Sequence, residues 1–68
     1  MRNSIRLMKQ AGIEPGMRVW VTYEHSGRSF PGVIKGLLPG FLLDVVIERK
    51  DGSKLRQTVS KDWVTVRQ

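Results

Sequence analysis

Apolar and polar residues alternate through most of this chain after Pro15-Gly16. In Met17-Arg18-Val19-Trp20-Val21-Thr22-Tyr23-Glu24 the odd positions are apolar, so a pleated strand turns Met17, Val19, Val21 and Tyr23 one way and Arg18, Trp20, Thr22 and Glu24 the other. This strand is predicted to end near Glu24, before a turn at His25-Ser26-Gly27. Ser29 to Gly36 reads as a second strand bent at Pro31-Gly32, and Leu37-Leu38-Pro39-Gly40 as the next turn. Phe41 to Arg49 is the predicted third strand, with Phe41, Leu43, Val45 and Ile47 on its apolar side. Asp51-Gly52 suits a tight hairpin, from which Lys54 to Val59 returns antiparallel. Ser60-Lys61-Asp62 has the length of one 3₁₀ turn before a last strand from Trp63 to Arg67. The expected core is Val19, Val21, Val33 or Ile34, Leu43, Val45, Ile47, Leu55, Val59, Val64 and Val66.

The segment before Pro15 follows a different period. Residues 1–13 read as a short amphipathic helix, capped by Ser4 and stopped at Gly12, with Ile5, Leu7, Met8 and Ala11 on one side. Arg2, Arg6 and Lys9 share the other side. The helix is expected to close one mouth of a barrel formed by residues 15–68.

Size and charge narrow the function classes. A 68-residue chain is one domain and buries only about 60% of the surface its unfolded form exposes, so homo-oligomerisation is a possible source of further buried area. The absence of cysteine and the single His25 leave no basis for a disulfide framework or a multi-histidine metal cage, and no cofactor is expected. Twelve Lys and Arg against six Asp and Glu give a net charge of +6, which favours phosphate polyanions or acidic proteins. No apolar run has membrane-spanning length and no signal peptide is legible, so the expectation is a cytoplasmic protein with no membrane partner.

Five strands joined in this order, the last through a one-turn linker, resemble an SH3-like small barrel. Pro15-Gly16-Met17-Arg18-Val19-Trp20-Val21, then Ser26-Gly27, then Phe30-Pro31-Gly32-Val33-Ile34, is similar to the opening of KOW and Tudor-like domains. Both families pair a Gly-x-x-Val-x-Val strand with a Gly-Val or Ala-Val strand after a short loop. Resemblance to KOW domains implies RNA or ribosome binding; resemblance to Tudor domains implies peptide recognition, although no aromatic cage is legible. An Sm-like barrel shares the helix and five strands without its uridine-binding Asp/Asn pattern being visible here. A type II dihydrofolate reductase would need a Val-Gln-Ile-Tyr segment where this chain has Leu55-Arg56-Gln57-Thr58-Val59.

Catalysis finds little support. His25 beside Ser26 does not make a triad, and Asp44 and Glu48, four residues apart, sit about 13 Å apart along a strand, too far for a glycosidase pair. They read instead as partners for Lys54 and Arg56 across the hairpin. If the first and last strands are neighbours, Arg18 and Trp20 share an outer face with Trp63, Thr65 and Arg67. That face predicts binding of single-stranded RNA or DNA, with bases stacked on Trp20 or Trp63. Phosphates would be met by Arg18, Lys54, Arg56, Lys61 and Arg67, assisted by Arg2, Arg6 and Lys9. The alternative is an interaction module that binds an acidic protein through the same tryptophans and cations.

Overall fold

The computed structural model describes residues 3–67. These residues form a short helix α1 (Ser4–Gln10) and five strands: β1 (Arg18–Thr22), β2 (Ser29–Leu38), β3 (Leu42–Glu48), β4 (Lys54–Ser60) and β5 (Val64–Val66). A 3₁₀ turn, η1 (Lys61–Trp63), joins β4 to β5. All pairings are antiparallel, in the order β4-β3-β2-β1-β5. The protein is therefore mainly β, and β1 and β5 are neighbours as expected.

The sheet is curled but not closed: among the described residues no ladder joins β4 to β5. Flat, five strands would hold their edges about 19 Å apart at the usual spacing. The connection from Ser60 to Val64 is a 3₁₀ turn, which advances only about 2 Å per residue. Only a strongly curved sheet brings its edges within that reach. Ser60 starts the turn, its Oγ accepting from the Asp62 N–H at 3.2 Å.

Curvature encloses one face. Val19, Val21, Ile34, Leu43, Val45, Ile47 and Val59 are buried there with Met8 and Ile13. Of the predicted core, Ile34 rather than Val33 points inward, Leu55 and Val64 are half-buried, and Val66 is exposed on a three-residue edge strand. Phe41, expected inside, is 43% exposed with φ of +59°. It belongs to the β2–β3 turn, so strand alternation does not govern it; β3 begins one residue later.

β2 runs two residues into the predicted turn, to Leu38, and the turn itself is Pro39-Gly40-Phe41. A bulge between Ile34 and Gly36 shifts its phase, which sends Leu37 inward opposite Leu43 and Gly36 outward opposite Asp44. The register irregularity thus lies at Lys35, while pairing with β1 stays in step through Pro31-Gly32. Pro31 is tolerated inside the sheet because of its register. The Tyr23 N–H donates to the Arg28 carbonyl at 2.9 Å and the Ile34 N–H to the Met17 carbonyl at 3.0 Å. Strict alternation between them makes Trp20↔Pro31 a non-hydrogen-bonded pair, so the missing N–H faces β3, whose ladder starts one residue later at Gly32↔Ile47. At Gly32 a Cβ would sit 3.0 Å from the Val46 carbonyl oxygen, so only glycine lets β2 and β3 approach this closely.

α1 ends in a Schellman motif: the Gly12 N–H donates to the Lys9 carbonyl at 3.0 Å and the Ile13 N–H to the Met8 carbonyl at 2.9 Å. Gly12, at φ +88°, adopts the left-handed conformation this motif requires. Ser4 does not cap the helix. Asn3 occupies that position, while Ser4 is buried and its Oγ accepts from the Gly40 N–H at 3.0 Å, fastening the helix to the β2–β3 turn. With Ser4 and Met8 turned inward, Leu7 and Ala11 are exposed. No helix among the described residues is long and apolar enough to cross a membrane.

Candidate nucleic-acid interface

The outer face of the sheet is built by register. Arg18 pairs with Val33, Val33 with Val46, and Val46 with Arg56, forming one row across four strands. The neighbouring row contains Thr65, Trp20 and Pro31. Across these rows lies a shallow groove of about 240 Å³ floored by Pro31, Gly32, Val33 and Val46. The cations Arg18, Lys35, Lys54 and Arg67 line it, against one carboxylate, that of Glu48, among the described residues. An apolar floor with a surplus of positive charge suits a phosphate chain whose sugars or bases lie on the sheet.

Trp20 is 41% exposed beside this groove, and the Arg67 guanidinium carbon lies 4.9 Å from its ring centroid. Stacking on the indole is worth about 0.5–1 kcal/mol at an exposed site and fixes the guanidinium plane, while the in-plane N–H donors remain able to meet an oxyanion. The strand pairing holds this arrangement, since the Arg67 N–H donates to the Arg18 carbonyl at 3.0 Å. Trp20 therefore orients a cation as well as offering an aromatic surface.

Trp63 does not join it. Because β5 starts at Val64, Trp63 falls in η1, where alternation from Val64 no longer applies. Its ring is half-buried against the core and meets Tyr23 edge-on, with centroids 5.4 Å apart and planes at 66°. Burial raises the Tyr23 pKa, a shift the nearby Arg49 charge partly offsets. The Tyr23 hydroxyl donates to Gln57 Oε1.

The other candidate cations are spread apart. Arg56 makes a forked ion pair with Asp44, Nε to Oδ1 at 3.0 Å and Nη2 to Oδ2 at 2.6 Å, so its charge is already matched. That bond holds the Asp44 carboxyl below its ordinary pKa. Lys61 donates its backbone N–H to the Phe41 carbonyl at 2.9 Å, at the helix end of the molecule. Arg6 and Lys9 are exposed on α1 and do not line the groove; Arg2 lies outside the described residues. Lys35 was not among the expected contacts. Alternation from Val33, which faces outward in the row with Arg18 and Val46, places it on the outer face; the sequence leaves open whether Val33 or Ile34 points inward, and with it the face of Lys35.

No group of three or more His, Asp or Glu side chains able to hold a metal ion occurs among the described residues. No protein-family model, curated protein or solved structure matches the chain.

Proposed function

We propose that the chain is a non-catalytic binding module that takes single-stranded RNA or DNA along the outer face of its sheet. The groove carries this reading: Arg18, Lys35, Lys54 and Arg67 outnumber Glu48 over an apolar floor, with the Trp20 indole holding Arg67 at its border. The net charge of +6 supports it by raising the encounter rate with polyanions. An SH3-like barrel belongs to the same proposal, supported by the adjacency of β1 and β5 and the one-turn linker.

Titration with single-stranded RNA, single-stranded DNA and duplex DNA tests the proposal. Four phosphate contacts at a slope of about −0.7 each predict a loss of about 50-fold in single-strand affinity between about 50 and 200 mM salt. Replacing Arg18 and Arg67 together with Gln should make the slope shallower by about 1.4. Salt-independent binding, or an unchanged slope in the double variant, would defeat the reading.

A second reading has its own observation. Leu7 and Phe41 are 48% and 43% exposed, and the Ser4–Gly40 hydrogen bond brings their two segments together. This apolar end of the molecule favours a protein contact, with an acidic partner or a second copy of the chain. Sedimentation at high salt separates the two, because an apolar contact persists where phosphate contacts fade.

A further inference from the structure

Successive antiparallel hairpins turn at alternate ends of the sheet. The β2–β3 turn meets α1, where Met8 and Ile13 fill the enclosed face. The β1–β2 and β3–β4 turns meet at the opposite end, and there the enclosed face opens into a hollow of about 560 Å³. That volume falls in the range of small-molecule sites.

The hollow's chemistry is specific. Tyr23 and Phe30 stand nearly at right angles, centroids 5.8 Å apart and planes at 72°, making an aromatic corner faced by Leu55. Gln57 lies among them; its Oε1 takes the Tyr23 hydroxyl proton, which leaves its amide NH₂ group as a donor. Arg28 and Arg49 stand at the rim, and no carboxylate lines the hollow among the described residues. Both rim turns are fixed by backbone hydrogen bonds, from the Gly27 N–H to the Tyr23 carbonyl at 2.7 Å and from the Arg49 N–H to the Ser53 carbonyl at 2.8 Å. The Asp51 carboxylate accepts from the Ser53 N–H and hydroxyl at 2.9 and 2.6 Å and also interacts with the Arg49 charge, which it partly offsets. Flat walls, one amide donor and two rim guanidinium groups fit a heterocyclic base carrying a phosphate.

The hollow and the outer groove are linked at this end of the sheet by shared lining residues. Phe30 and Arg49 border a shallow surface that runs past Lys50 to Pro31 and Glu48, which themselves border the groove. We infer that one base of a bound single strand turns over this end of the sheet and lies in the corner against Tyr23 and Phe30, its phosphate held by Arg28 and Arg49. This rests on the outer-face reading and adds a defined nucleotide position to it.

Amide-resolved NMR titration of the full chain with adenosine and uridine 5′-monophosphate, and with inorganic phosphate as control, is the test. Saturable shifts at Tyr23, Phe30 and the Gln57 side-chain NH₂ with the nucleotides but not with phosphate are expected. Gln57→Glu preserves size and adds a negative charge, and should weaken both mononucleotide and single-strand binding by about tenfold, the value of one stacked base. Should that variant lose its fold, Arg49→Gln on the exposed rim carries the same expectation. No shifts at the hollow, or equal shifts with phosphate alone, overturn the inference. So does a single-strand affinity untouched by a variant that has lost the mononucleotide. Failure of the groove itself is read separately: substitution of Arg18 and Arg67 by Gln would then leave single-strand binding unchanged.

Discussion

Trp20 and Trp63 have the same parity relative to neighbouring valines, yet their truncation should have opposite consequences. Trp63 is half-buried and meets Tyr23 edge-on. A fully buried Trp→Ala change costs about 3–5 kcal/mol, so roughly half of that is at stake, and the aromatic pair adds about 1 kcal/mol. Trp63→Ala should therefore destabilise by about 3 kcal/mol, a large part of the total expected for a domain of this size. At about 4–8 °C per kcal/mol, the melting temperature should fall by about 12–24 °C. Trp20→Ala forfeits the contact with Arg67 and partial packing beside Pro31, about 1 kcal/mol in all. Urea and thermal denaturation followed by circular dichroism measure both, and oligonucleotide titration at a temperature where both variants are folded measures binding. Trp20→Ala should weaken binding several-fold while remaining well folded. Equal destabilisation by the two variants, or a greater effect at Trp20, would refute the assignment of one ring to the core and the other to the surface.

Further outcomes follow from particular contacts. Leu43→Ala should destabilise by about 3 kcal/mol, because the side chain is fully enclosed, and a urea midpoint unchanged from the parent would contradict that. Gly32→Ala should cost about 1–3 kcal/mol in the same assay, since the Val46 carbonyl 3.0 Å away is backbone and cannot swing aside. At Phe41 the usual order reverses: Phe41→Gly should be more stable than Phe41→Ala by about 1 kcal/mol, because φ of +59° penalises any Cβ. The Asp44 carboxyl is held low chiefly by its hydrogen bond from Arg56, and that of Asp51 chiefly by the Ser53 hydroxyl. A carboxyl with a lower pKa folded than unfolded adds stability that is complete above its unfolded pKa and disappears as pH falls through its folded one. The melting temperature should thus decline below about pH 4, and Asp44→Asn combined with Asp51→Asn should flatten that decline.

The strand pattern was legible because burial on one face imposes a period of two. Val19 and Val21, and Leu43, Val45 and Ile47, announce which side of β1 and β3 is enclosed. The pattern fails where alternation is interrupted by geometry that residue types do not encode. Lys35 carries no mark of a bulge, yet the extra residue there reverses the faces of everything after it in β2. Ser4 looks like a helix cap by type; what removes it from that role is a partner 36 residues away, the Gly40 N–H. Local preference yields when a tertiary contact satisfies the same oxygen in a buried place.

The site was legible to the extent that it lies on regular strand. Arg18, Trp20, Lys54 and Arg67 come together because β1 lies beside β5 and because β3 and β4 continue the same outer face. Arg56 has the right face but a committed partner, which a cross-strand reading of Asp44 could anticipate in kind though not in position: Asp44 is opposite Thr58, and the ion pair is diagonal. Trp63 turns on a single residue. Had β5 begun there, alternation from Val64 would put the indole on the outer face; with the 3₁₀ turn extending through it, the ring lies against Tyr23 instead. That displacement also ties the aromatic wall of the hollow to the turn joining the sheet's two edges. A change in how tightly the sheet curls is therefore felt at Trp63 and Tyr23 together. The outer groove lies on strands paired along their length and depends on that curvature less, so removing the Trp63 ring should loosen the hollow before it disturbs the groove.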